Sequence, residues 1–84
     1  MTKSEISAAI RELLRDHFKL DPARPLPEDE SFLGSGLIDS AGIIRLIGII
    51  ERRFEIRVMN DEIVAENFDS VSQTCAFIVK KLVH

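Results

Sequence analysis

The chain has no tryptophan and no tyrosine, and five phenylalanines are its only large aromatic residues. Its core must therefore be built mainly from isoleucine, leucine and valine. A single cysteine, Cys75, excludes an internal disulfide and fits a reducing intracellular compartment. Only two histidines are present, His17 and His84, too far from each other and from Cys75 in sequence to suggest a metal-ligand set. His17 reads as a partly exposed structural residue in a helix, and His84 as terminal and mobile. The charges nearly balance as well: 11 basic and 14 acidic residues leave a net charge of −3, which argues against nonspecific nucleic-acid binding. The longest apolar stretch is interrupted by Arg45 and Gly48 and falls far short of the roughly 18 residues that cross a bilayer. The start, Met1-Thr2-Lys3-Ser4-Glu5, lacks the apolar segment of a secretory signal, so a cytoplasmic location is expected.

Catalytic signatures are missing too. Gly34-Ser35-Gly36 lacks the spacing of a nucleophile elbow, and no glycine-rich phosphate loop is present. Cys75 lies in an apolar helical pattern and reads as a small core residue rather than a nucleophile. With 84 residues the chain forms one small domain. Such a chain buries only about 60–65% of its unfolded surface, which leaves little room for a deep cleft lined by buried polar groups. Its 45% hydrophobic content is enough for one core, so a disordered chain is excluded.

What is there is helical. Ile6, Ala9, Ile10, Leu13, Leu14 and Phe18 recur at helical spacing, and Thr2 with Glu5 forms a potential capping box, which predicts a helix over 4–18. The stretch from Lys19 to Asp39 holds all three prolines and two of the four glycines. Connections longer than about 12–15 residues are uncommon and often functional. Phe32, Leu33, Leu37 and Ile38 are expected to pin this one to the core. Ser40 to Phe54 is rich in isoleucine, which favours strand, but its length favours a helix over 40–53 capped by Asp39 or Ser40. Leu46, Ile47, Ile50 and Phe54, extended by Ile43, form its buried face. Asn60-Asp61-Glu62 starts a short third helix, 60–65, and Asp69 or Ser70 caps a last one, 70–82, with Val71, Thr74, Cys75, Ile78 and Leu82 on its buried stripe. The expected fold class is all-α, a four-helix bundle with a long first loop and a short third helix, in one domain over 1–84.

Charge is distributed unevenly. Leu20 to Asp39 carries five acids and one base, as does Glu55 to Ser70. Between them Arg45, Arg52 and Arg53 are opposed only by Glu51. The most informative residue is Ser40, in Gly36-Leu37-Ile38-Asp39-Ser40. An aspartate-serine pair where a loop runs into a helix exposes a hydroxyl beside an acid and ahead of free helix N–H groups. Read by itself, Ser40 could be no more than a cap.

The chain resembles the acyl carrier protein family over nearly its whole length. The resemblance rests on Ser31-Phe32-Leu33, on Gly36-Leu37-Ile38-Asp39-Ser40, on Glu51-Arg52-Arg53-Phe54-Glu55-Ile56-Arg57-Val58, on Asp61-Glu62-Ile63 and on Asn67-Phe68-Asp69-Ser70-Val71. It implies a carrier that is a substrate of other enzymes and has no catalysis of its own. A phosphopantetheinyl transferase would use coenzyme A to place 4′-phosphopantetheine on Ser40, with Asp39 recognised by the transferase. The arm would hold an acyl or aminoacyl group as a thioester. Further partners would be an acyl or aminoacyl ligase and a cargo-accepting transferase or synthase, docking at Ala41, Ile44, Arg45, Gly48 and Arg52. A monomer is expected. Ala41 and Gly42 follow the serine where fatty-acid carriers usually have a leucine next, and Arg45, Arg52 and Arg53 stand where acids are common. The Gly-Leu-Ile-Asp-Ser stretch looks more like stand-alone D-alanyl or other aminoacyl carriers, with unusual long acyl cargo also open. Two readings of other classes stand beside this one: an unmodified helical interaction domain, and a small DNA-binding domain using Arg45 and Arg52 on one helix face.

Overall fold

In the computed structural model, which describes residues 1–83, the chain folds into four α-helices and one 3₁₀ turn. His84 lies outside the described residues. Helix α1 (Lys3–Phe18) opens with the expected reciprocal cap: the Glu5 N–H donates to Thr2 Oγ1 at 3.1 Å, and the Thr2 N–H donates to Glu5 Oε1 at 2.7 Å. Helix α2 (Ser40–Phe54) is capped by Asp39, and Ser40 is its first residue. Helices α3 (Ala65–Phe68) and α4 (Val71–Leu82) follow, with Ser70 Oγ accepting from the Gln73 N–H to cap α4. Both α1 and α2 end on non-glycine residues in the left-handed region, Lys19 at φ 52° and Glu55 at φ 54°.

Helix α1 packs along α4, and α3 packs against α4. Side chains from α2 join theirs in one core, where Ile6, Ile10, Leu14, Leu46, Ile50, Phe68, Val71 and Ile78 are almost fully buried. The Phe68 and Phe77 rings meet at 4.9 Å. On α2, Ile49 is buried as well, outside the face expected from the sequence, while Ile44 is 57% exposed. The helix is therefore amphipathic rather than apolar all round.

The third helix differs from its expected span of 60–65. Asn60–Glu62 is a 3₁₀ turn, and the α-helical turn comes later, at Ala65–Phe68. The β-branched pair Ile63-Val64 separates the two, with Val64 extended. Phe68, buried completely, draws the helical turn down to itself. Asn67 Nδ2 donates to the Glu62 carbonyl at 2.9 Å and stitches the two pieces together. Glu62 Oε1 accepts from the Met59 N–H and pairs with Lys81 at 2.7 Å, fixing the turn to α4.

The Lys81 ammonium, and after it the Met59 N–H, hold the Glu62 carboxyl below its usual value of 4.5. A lowered carboxylate contributes stability that is present above 4.5 and lost as pH falls through the folded-state value. Urea unfolding followed from pH 6 down to pH 3 is expected to show this loss, and Glu62→Gln to make the fall shallower.

Candidate functional site

The loop that delivers Ser40 is held at many points. Arg11 Nε donates to the Leu26 carbonyl and Arg15 Nη2 to that of Arg24, both at 3.1 Å, so α1 grips its first half. Arg24 forks onto Glu30, which holds the Glu30 carboxyl below its usual range. The second half is tied to the start of α4. The Ser72 N–H donates to the Glu28 carbonyl at 2.8 Å, and the Phe32 N–H to that of Asp69 at 2.7 Å. The Asp69 carboxylate accepts the Ser31 hydroxyl on Oδ2 and the Leu33 N–H on Oδ1 at 2.9 Å. Phe32 and Ile38 are buried as expected and Leu37 is half-buried, but Leu33 is exposed; Leu26 is the additional apolar anchor.

This clamp leads into Gly36 at φ +77°, a left-handed conformation that glycine adopts without strain, and then into Asp39. Asp39 Oδ1 accepts the Gly42 N–H at 2.7 Å, and its other carboxylate oxygen makes no hydrogen bond among the described residues. Ser40 follows at the first helical position and is exposed. Gly42 lets this turn sit close to its neighbours, since a Cβ there would meet Ile38 Cγ2 at 2.5 Å and Phe18 Cε1 at 3.5 Å. The site is thus a hydroxyl on a braced helix start, with a carboxylate one residue before it. A phosphodiester on that hydroxyl would meet the positive end of the α2 dipole, so the position suits an anionic attachment.

The other residues singled out by sequence fall on two sides of α2. Ser40, Ile44, Gly48 and Arg52 succeed one another at four-residue steps, and Ile44 and Arg52 are exposed. Ala41 and Arg45 form the neighbouring row, turned towards the end of α1, where both line one groove with Phe18. Arg45 is not the freely solvated charge that exposure suggests. Its Nη2 donates to the His17 carbonyl at 2.5 Å, and its guanidinium lies 4.7 Å from the centre of the Phe18 ring. It closes the carbonyl end of α1, a role absent from the sequence reading, and its replacement costs packing as well as charge.

Gly48 has open space where a side chain would be. A mid-helix glycine weakens a helix, so Gly48→Ala is expected to stabilise the domain by about 0.5–1 kcal/mol, read as a higher urea midpoint with unchanged slope.

No helix among the described residues is long and apolar enough to cross a membrane, and no described cluster of His, Cys, Asp and Glu could hold a metal ion. Four helices around one core, with a braced serine opening the second, define a domain of the acyl carrier type. The chain belongs to the phosphopantetheine attachment site family, whose model matches residues 8–78. Members carry 4′-phosphopantetheine covalently on a serine, and they interact with the transferase that installs it and with synthase-type enzymes.

Proposed function

We propose that Ser40 is the attachment serine and that the chain is a non-catalytic carrier, loaded with an acyl or aminoacyl group by a ligase and unloaded by a transferase or synthase. The observation that carries this reading is the exposed Ser40 at the first position of α2, beside the Asp39 carboxylate. In the modification, the Ser40 oxygen attacks the coenzyme A pyrophosphate at the phosphorus bearing pantetheine. The new P–O bond forms as the bond to the adenosine bisphosphate half breaks, and the hydroxyl proton passes to a base of the transferase. The arm's thiol then holds cargo as a thioester at high effective concentration for each partner.

The chain's own part is presentation. Ile44, Gly48 and Arg52 continue from Ser40 along one side of α2 and give partners a surface, with Ala41 and Arg45 on its flank. Arg52 and Arg53 make the end of that helix basic, which disfavours partners whose docking patch is basic. That basic character supports a dedicated ligase of the aminoacyl or specialised acyl kind. A monomer acting in the cytoplasm fits the same reading.

The test is intact mass after incubation with coenzyme A and a broad-specificity phosphopantetheinyl transferase. One added phosphopantetheine is expected, and none in Ser40→Ala; a folded parent that gains nothing would count against the reading. In the same assay Asp39→Asn is expected to slow modification at least tenfold while moving the melting temperature little. Asparagine caps a helix as well as aspartate does, so the cap survives while the charge is lost.

A further inference from the structure

We propose that the groove between the end of α1 and the first turn of α2 is a binding site for the arm itself, with Arg45 as its phosphate contact. The inference rests on Ser40 being the attachment serine. The groove has a volume of about 430 Å³, and its lining includes Phe18, Leu37, Ile38, Asp39, Ala41 and Arg45. Both chain neighbours of Ser40, Asp39 and Ala41, line it.

The lining matches the arm's chemistry. A phosphopantetheine begins with an anionic phosphodiester, continues with a carbon bearing two methyl groups, and runs on through two amides to a thiol. The groove offers a guanidinium, the aliphatic surface of Leu37, Ile38 and Ala41, and the backbone of Gly36 to Asp39. Arg45 lies one turn on from Ala41, the residue after Ser40, and both line the groove. The Arg45 guanidinium is already immobilised by the His17 carbonyl and the Phe18 ring, so little further side-chain freedom is lost on binding. Its fork has five N–H donors, and the His17 bond leaves others for an anion. Gly42 permits the close approach of this turn to Ile38 and Phe18. Arg45 thereby sets how much of the arm is free for a partner, and the groove is where the arm rests between partners.

The experiment uses isotopically labelled protein carrying an unlabelled arm. Mass spectrometry comes first, and absence of the mass gain overturns the proposed function and this inference with it. In the modified protein, nuclear Overhauser contacts are expected from the arm's geminal methyls to Leu37, Ala41 and Phe18. The Ala41 amide, in the first turn of α2, is expected to exchange about fivefold more slowly than in the unmodified protein, the effect of roughly one net hydrogen bond. Arg45→Gln should return that exchange to the unmodified rate and weaken the contacts. Leu37→Ala should weaken the methyl contacts without touching the guanidinium, and it serves alone if Arg45→Gln fails to fold. Methyl signals at the position of free pantetheine, or contacts to the α2–α4 side instead, would overturn the groove as the site while leaving Ser40 as the attachment residue.

Discussion

Asp69→Ala is expected to lower the stability of the domain by roughly 2–3 kcal/mol, because two hydrogen bonds to a carboxylate are lost together. The Ser31 hydroxyl and the Leu33 N–H both donate to this one side chain, across 38 and 36 residues of sequence. For a domain of this size that loss shifts the melting temperature by about 8–24 °C. Asp69→Asn keeps one acceptor oxygen and should fall between the two. Circular dichroism melts of the three proteins check the order. The effect should reach Ser40 as well, since the Ser31–Leu33 segment that Asp69 holds is what delivers Gly36 to Asp39. Modification of the alanine variant is expected to slow at temperatures well below its own melting point. A variant that melts like the parent would show that the backbone bond from Phe32 to the Asp69 carbonyl suffices to hold the loop.

Phe68→Ala should be costlier, about 3–5 kcal/mol, the usual range for emptying a fully buried phenylalanine site. Phe68 is 0% exposed and packs on Phe77. Helix α3 has only four residues, too few to hold itself by propensity. Its ring is what keeps Ala65–Phe68 folded against α4, so the variant should lose that segment first. Amide exchange would reveal this as fast exchange at 65–69 beside protected amides in α1 and α4. With total stability in small domains of about 5–15 kcal/mol, little would remain. Phe68→Leu, which keeps most of the volume, should recover more than half of the loss.

Much of this arrangement is written locally in the chain. Thr2 and Glu5 mark the start of α1, the spacing of Leu46, Ile47, Ile50 and Phe54 marks α2, and Asp39-Ser40 marks the candidate site, because caps and helical spacing act within one or two turns. The third helix was less legible. The acidic Asn60-Asp61-Glu62 start looks like a helix, but the Ile63-Val64 pair and the burial of Phe68 decide where the turn falls, and burial is a tertiary effect. Asp69 carried no local sign that its carboxylate reaches back to Ser31 and Leu33. Arg45 carried none that it would cover Phe18. The burial of Ile49 and the exposure of Leu33 were hidden for the same reason: each depends on what lies opposite in space. The family resemblance pointed to Arg45 and Arg52 together as docking residues, and it could not separate the tethered Arg45 from the exposed Arg52.

The core places one sulfur atom out of reach. Cys75 is 1% exposed, with its Sγ against the Lys3 carbonyl, beneath the packed faces of α1 and α4. Thiol exchange requires a thiolate that can approach its target, and this one cannot while the fold is intact. In the modified protein the arm's thiol would be the single thiol open to chemistry. A thioester held there has no neighbouring protein thiol to migrate to, and the arm cannot be locked away as an internal disulfide. A maleimide added to the folded protein would therefore count empty arms directly.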